Sequence, residues 1–304
     1  MTKLQRAILA VVACGGAAAC NFTKLAAEQT VGVFSAGSQS YQRENDVELA
    51  HHAGLANLKL LEGLLEVIPE DEELLALCAR SYAEFAFAFV ETELEQLSED
   101  DAKYAPTLAR AVDFYGRARK YASRRLKQTA PEVVAALAGP VDKLERALAS
   151  VEKEQADALF WVGYPWGGII NLQIDDPAAL VDVPKAIAIM KRVVALDEKV
   201  YHGAAHLFLG GVYSSVPPSL GGDPAASLTH FERATELTEG NYLLGKVLFA
   251  TYYWAKSNPD RARFEALLNE VLAADLEAHP DIRLANTIAQ RRAQMWLDRA
   301  DEVF

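Results

Sequence analysis

The sequence predicts an all-α protein, an α–α superhelix (solenoid) built from degenerate helix hairpins. Three observations lead there. Apolar residues recur at helical spacing from Val47 onward, prolines and acids punctuate the points where helices start, and one two-helix pattern returns later in the chain. Few stretches show the strict apolar–polar alternation of a half-buried strand, and runs of Val, Ile and Thr are short.

The N-terminus reads as an export signal over residues 1–19. Lys3 and Arg6 precede the apolar run Ala7 to Ala13, and small residues then lead to Cys20. Ala17-Ala18-Ala19-Cys20 resembles the tetrad at which a bacterial signal is cut and the cysteine lipidated, which predicts a lipid anchor on Cys20. Val11-Val12-Ala13-Cys14 fits the same pattern behind a shorter apolar region, so Cys14 is the second candidate. Cleavage after Ala19 with no lipid is the third reading. The apolar segment falls short of the roughly 20 residues that span a bilayer. Residues 20–44, rich in Ser, Gly, Thr and Gln, read as a flexible tether.

A single helical domain is expected over residues 45–304. Leu58, Leu61, Leu65 and Ile68 share one helix face, Pro69 stops that helix, and Glu70 to Glu73 put negative charge at the start of the next. Leu74, Cys78, Tyr82, Phe85 and Phe89 form the second stripe, completing a hairpin. Asp223-Pro224 and Asn258-Pro259 each place a capping side chain before a proline suited to the first helical turn. Val183-Pro184, near Asp182, and His279-Pro280 are expected to start helices in the same way. Met190-Lys191-Arg192 to Leu196-Asp197, followed by Tyr201, aligns at constant offset with Phe231-Glu232-Arg233 to Leu237-Thr238, followed by Tyr242. A looser copy starts at Phe264. Helix pairs that bury their apolar faces only against neighbouring pairs are the logic of tetratricopeptide-like repeats.

Composition removes several function classes. Loss of residues 1–19 takes away Lys3 and Arg6 and no acid, moving the formal net charge from −12 to −14. Such a surface repels phosphate backbones, and no basic stripe interleaved with aromatics is present, so no nucleic-acid partner is expected. With Cys20 processed, Cys78 stands among Leu74, Leu75, Leu77 and Ala79 as a buried hydrophobe. The chain lacks a Gly-x-Ser-x-Gly elbow, a dinucleotide glycine fingerprint and a zinc cysteine pair. Gly240 to Val247 nearly spells a phosphate-binding loop, but Val247 stands where a Ser or Thr must meet Mg²⁺ and no strand precedes it. No cofactor, no metal and no enzymatic activity are expected.

Ordered blocks spread over the chain carry a resemblance. Ala158 to Gly163 with Trp166-Gly167, His206 to Gly210, Pro217 to Pro224, His230 to Ala234, and Arg283 to Ala293 leading to Phe304 resemble the T-component (TatT) family of TRAP transporters. The resemblance runs from about Glu44 to the last residue. It implies a periplasmic, lipid-anchored, all-helical protein with cryptic tetratricopeptide-like repeats. Its implied partner is the solute-binding P component of a tripartite ATP-independent periplasmic transporter, and homo-oligomers are among the implied states. It implies no catalytic residues.

Phe160, Trp161, Tyr164 and Trp166 stand within seven residues, broken by Gly163, Pro165, Gly167 and Gly168. Trp161, Tyr164 and Trp166 are candidates to wall an apolar pocket, with Asn171 orienting a polar end of a small hydrophobic or organic-acid ligand. The same rings also serve as core, with the glycines admitting close helix crossing. His202 and His206, at i and i+4, would share a helix face, and His230 could join them, but no third ligand pattern completes a metal site. His206 is therefore a pocket candidate rather than a metal ligand. Two other functional readings remain at this stage: a general tetratricopeptide-like lipoprotein that scaffolds envelope partners, and a helical envelope enzyme.

Overall fold

The computed structural model describes the backbone from Lys3 to Phe304 and the side chains of residues 22–219 and 221–304. Among these residues it is helical and contains no strand. The lipidation candidates Cys20 and Cys14 lie outside the described side chains.

The first helix, α1 (Lys3–Gln42), takes in most of the segment read as a tether. That segment is helical for a physical reason. Hydroxyl-bearing residues suggested a linker, yet Thr30 Oγ donates to the Ala26 carbonyl (2.8 Å) and Ser38 Oγ to that of Ser35 (2.7 Å), within the helix itself. Ala27 and Val31, one turn apart, are buried, and Tyr41 Oη donates to the Ala50 carbonyl at 3.0 Å. Tertiary packing holds a sequence of modest propensity helical.

The first predicted hairpin is present as α2 (Val47–Leu65) and α3 (Glu72–Phe85). Asp46 caps α2 by accepting from the amides of Glu48 and Leu49, and Asp71 caps α3 through Leu74. Leu58, Leu61, Leu65 and Ile68 are buried against Leu74, Cys78 and Tyr82 in one apolar core. Beyond Phe85 the helix widens into a π-helical stretch, Ala86–Glu91, before α4 (Thr92–Leu94). Then α5 (Tyr104–Lys127) is followed by the short α6 (Pro131–Ala136) and α7 (Val141–Leu148), both introduced by prolines. Next, α8 (Ala156–Leu172) packs along α5 and continues through Pro165, and α9 (Pro177–Leu180) leads to the repeats.

The repeated pattern corresponds to α10 (Val183–Asp197) with α11 (Val200–Ser215), then α12 (Pro224–Leu237) with α13 (Leu243–Leu248). Asp223 caps α12 as expected, and Gly222 is obligatory before it, because a Cβ there would stand 1.8 Å from the Val216 carbonyl oxygen. A second π-helical stretch, Phe249–Ser257, prolongs α13. The following helix, α14 (Arg261–Ala273), is capped by Asp260 and not by Asn258, since Asn258 closes the π-helical stretch before it. A 3₁₀ turn, Pro280–Ile282, introduces α15 (Arg283–Asp298), and α16 (Ala300–Val303) ends the chain.

Helices pack mainly on their neighbours in chain order, and the last hairpin returns to the first. α15 touches α1 and α2, Arg43 pairs with Asp281 at 2.6 Å, and Arg283 Nε donates to the Arg43 carbonyl. A second apolar core joins Val47 and Ala50 of α2 to Phe231, Phe264, Leu268 and Ile288. The chain thus surrounds an interior whose wall is drawn from helices far apart in sequence.

Candidate functional site

Two adjoining chambers occupy that interior, named outer for the one that meets the terminal helices α1 and α15 and inner for the one against the mid-chain helices α5, α8 and α11. The outer one, about 380 Å³, lies between α1, α2, α3, the stretch Ala86–Glu91 and α15, and is lined by Phe34, Leu61, Phe85, Leu284 and Ile288 among other apolar groups. The inner one, about 130 Å³, is lined from α5, α8, α11 and both π-helical stretches. Phe87, Tyr164, Tyr201, Tyr242 and Leu244 line both. Helices with an extra residue per turn recur at functional sites because they re-aim side chains off the regular spacing; here they bring Phe87, Glu91 and Tyr252 to the inner chamber.

The polar groups of the outer chamber are matched. Glu84 accepts from Arg80 Nε (2.7 Å) and from the Tyr201 hydroxyl (2.6 Å), while its second oxygen accepts from Gln42 Nε2 of α1. The Arg80 guanidinium lies 5.4 Å from the Tyr201 ring centroid. Burial, followed by the nearby Glu84 charge, pushes the Tyr201 hydroxyl well above its ordinary range, so it remains a donor.

The inner chamber is differently charged. Tyr115 donates to Glu91, and Gly168 of α8 makes room for the Tyr115 ring, since a Cβ there would lie 2.7 Å from it. Arg292, buried on α15, pairs with Glu95, stacks 4.6 Å from the Phe87 ring centroid, and leaves its Nε and Nη1 without hydrogen-bond partners. Burial raises the Glu91 carboxyl to about 7; the Tyr115 hydrogen bond and the Arg292 charge pull it down, and Glu95 adds to the rise.

The sequence-predicted pocket residues divide. Tyr164 lines both chambers and Asn171 lines the inner one. Trp161 and Trp166 are buried in the core: Trp161 donates to Asp157 (3.1 Å), and Trp166 carries the Arg119 guanidinium 3.5 Å above its ring. Neither lines a chamber, and their surroundings are those of packing. His206 is buried away from both chambers, its Nδ1 2.8 Å from His230 Nδ1 and its Nε2 3.4 Å from Glu198. Burial lowers both imidazoles, His230 to about 4 with the His206 charge adding to the effect. His202 does not share a helix face with His206, because Tyr201, His202 and Gly203 adopt left-handed backbone at the start of α11. Its ring stacks on Tyr242 at 4.8 Å, beside a hollow of about 300 Å³ outside the chambers. Among the described residues no three of His, Cys, Asp and Glu are grouped to hold a metal ion.

Sequence reasoning missed Arg80, Glu84, Glu91, Tyr115, Tyr201 and Tyr242. A signal existed for the last two: the repeat alignment sets Tyr201 and Tyr242 in register, and each enters the cavity near the start of its hairpin's second helix.

The family model for the TRAP transporter T-component matches residues 43–304. The chain belongs to the TRAP transporter T-component family. The match begins where α1 ends, so the whole cavity wall except the α1 contribution lies in the T-component region. This T-component is 27% identical over 259 residues to an uncharacterised protein of Treponema pallidum (strain Nichols), covering 84% of this chain and 80% of the other. The family is an accessory part of a transporter, not an enzyme family. Among the described residues no helix of this T-component is long and apolar enough to cross a membrane.

Proposed function

We propose that the chain is a lipid-anchored periplasmic accessory subunit of a tripartite ATP-independent (TRAP) transporter, its hairpins stacked as a tetratricopeptide-like superhelix that engages the solute-binding P component and holds a small ligand in its interior. The observation that carries the reading is the roughly 380 Å³ apolar chamber in a chain of this family, within the size range of small-molecule sites. The basic N-terminal residues, the apolar run and Ala17-Ala18-Ala19-Cys20 support export and lipidation at Cys20. Arg80 is the cation on the outer wall, suited to orient the carboxylate of an organic acid while the rings around it hold an apolar body.

Affinity purification of the membrane-anchored protein from its host, under mild conditions, is expected to retain a periplasmic solute-binding protein. Its repeated absence overturns the partner assignment. Native mass spectrometry of the same preparation is expected to report a bound small molecule and the assembly mass together. Labelling of the host with a radioactive fatty acid is expected to mark the native protein and not Cys20→Ser, and a labelled Cys20→Ser overturns Cys20 as the lipid site.

A further inference from the structure

We propose that the inner chamber is a binding site for an organic ammonium group, with Glu91 as its counter-ion and the surrounding rings as its cage. The proposal rests on the reading that the interior holds a ligand, and it names the chemistry of one end of that ligand.

Charge balance is the first argument. Glu91 and Glu95 stand together beside one guanidinium, Arg292, which pairs directly with Glu95. The groups electrostatically coupled to Glu91 from the packed elements are Tyr115 of α5, Tyr164 of α8, Tyr252 of the Phe249–Ser257 stretch, Arg292 and Glu95. Lys256 lies over the Tyr252 ring at 5.0 Å and is coupled to Glu95. Among the described residues no Arg, Lys or His lines the inner chamber. A cationic ligand favours the ionised form of Glu91, whose one side-chain donor is a neutral hydroxyl, whereas an anion would meet that carboxyl with no cation on the chamber wall.

The wall supplies the second argument. Phe87, Tyr115, Tyr164, Phe208 and Tyr252 line the chamber around Glu91, and aromatic faces attract alkylammonium groups through their negative π surface. Gly167 admits the Phe208 ring, since a Cβ there would stand 1.8 Å from it. The Ser215 hydroxyl, on the same wall as Glu91 and Asn171, is buried without a hydrogen-bond partner. The volume, about 130 Å³, is close to the roughly 150 Å³ cavity that accepts benzene, so it admits one head group while the body extends toward the outer chamber. An ammonium group bound here favours the ionised carboxylate, so binding releases a proton below about pH 7.

Isothermal titration of the purified protein with hexyltrimethylammonium, hexanoate and 1-hexanol at pH 6, 7 and 8 tests this. The ammonium is expected to bind at least about tenfold more tightly than 1-hexanol at pH 8, and to weaken by up to about tenfold per unit below pH 7. Glu91→Gln keeps an acceptor for Tyr115; it is expected to bring the ammonium down to the affinity of 1-hexanol, to abolish the pH dependence and to leave 1-hexanol unchanged. Equal affinity for ammonium and alcohol in the native protein, or an undiminished ammonium preference in Glu91→Gln, overturns the proposal. Where the alcohol or hexanoate still binds, the cavity reading survives that loss; where none of the three binds, both fall.

Discussion

Glu84 and Glu91 stand two turns apart on one continuous helical run, yet the protein treats them in opposite ways. Glu84 faces the outer chamber with Arg80, Tyr201 and Gln42 all donating to it. Glu91 faces the inner chamber with the Tyr115 hydroxyl, and the Arg292 guanidinium beside it hydrogen-bonds to Glu95. Donors stabilise a carboxylate's charge, and Glu91, buried with a single neutral donor, is pushed toward the protonated form. In the outer chamber a guanidinium on the wall answers the carboxylate, while the inner wall carries no cation and is poised to accept one.

The sharpest way to break this comparison is to remove each arginine in turn. Arg292→Met leaves Glu95 beside Glu91 without the buried guanidinium that pairs with it. Stripping one partner from a buried pair typically costs about 3–5 kcal/mol. Arg80→Met leaves Glu84 with its tyrosine and glutamine donors, and the Arg80 side chain is 37% exposed, so about 1 kcal/mol is expected. Chemical denaturation of the two variants measures the difference. Equal losses would mean that the two sites are not distinguished by their charge balance.

The second test uses pH. A carboxyl held near 7 in the folded protein, against an ordinary value of 4.5, makes the native state bind the extra proton between those values. Stability from this group is complete below about pH 4.5 and is lost as pH rises through 7, an effect on the order of 3 kcal/mol. Glu62 works in the opposite sense. Burial would raise it, but hydrogen bonds from Lys59, Tyr121 and Tyr82 outweigh burial and hold it at about 2, so its contribution is present above pH 4.5 and disappears as pH falls toward 2. Unfolding free energies of the native protein and Glu91→Gln between pH 5 and 8 are expected to diverge in slope, with the variant flatter. Parallel curves would place Glu91 in the ionised state throughout.

Much of the fold could be read because its signals are local. The stripe from Leu58 to Ile68, the stop at Pro69 and the Asp223-Pro224 cap act within a turn of the residues concerned. The two aligned hairpins could be read because each repeat meets the same packing problem. The cavity was only partly legible. At about 100° per residue, Tyr164 and Asn171 fall on nearly the same face of α8, while Trp166 points to the opposite side, so a helical wheel separates wall from core once one wall residue is known. Nothing local states which face meets the cavity. The π-helical stretches were hidden because Phe85 to Val90 has the composition of any apolar helix, and an added residue per turn leaves no mark in residue type. His202 was misplaced because Gly203 is the only residue of the left-handed trio whose type announces that backbone.

The smallest effects come from glycines, and they test whether the inner wall is as tightly built as its charge argument needs. Gly116 on α5 and Gly167 on α8 both lie inside helices, where replacement by alanine gains roughly 0.5–1 kcal/mol of backbone entropy. At Gly116 a Cβ meets nothing within 4 Å, so Gly116→Ala is expected to be stabilising by about that amount. At Gly167 the Cβ meets the Phe208 ring at 1.8 Å, and shifting a packed ring costs about 1–3 kcal/mol, enough to reverse the sign. Because Phe208 lines the inner chamber, Gly167→Ala should also weaken hexyltrimethylammonium binding, whereas Gly116→Ala should not. Thermal denaturation and titration of the two variants measure both effects. If Gly167→Ala stabilises the protein as Gly116→Ala does, the ring at Phe208 moves freely, and the inner chamber is a loose space rather than a shaped one.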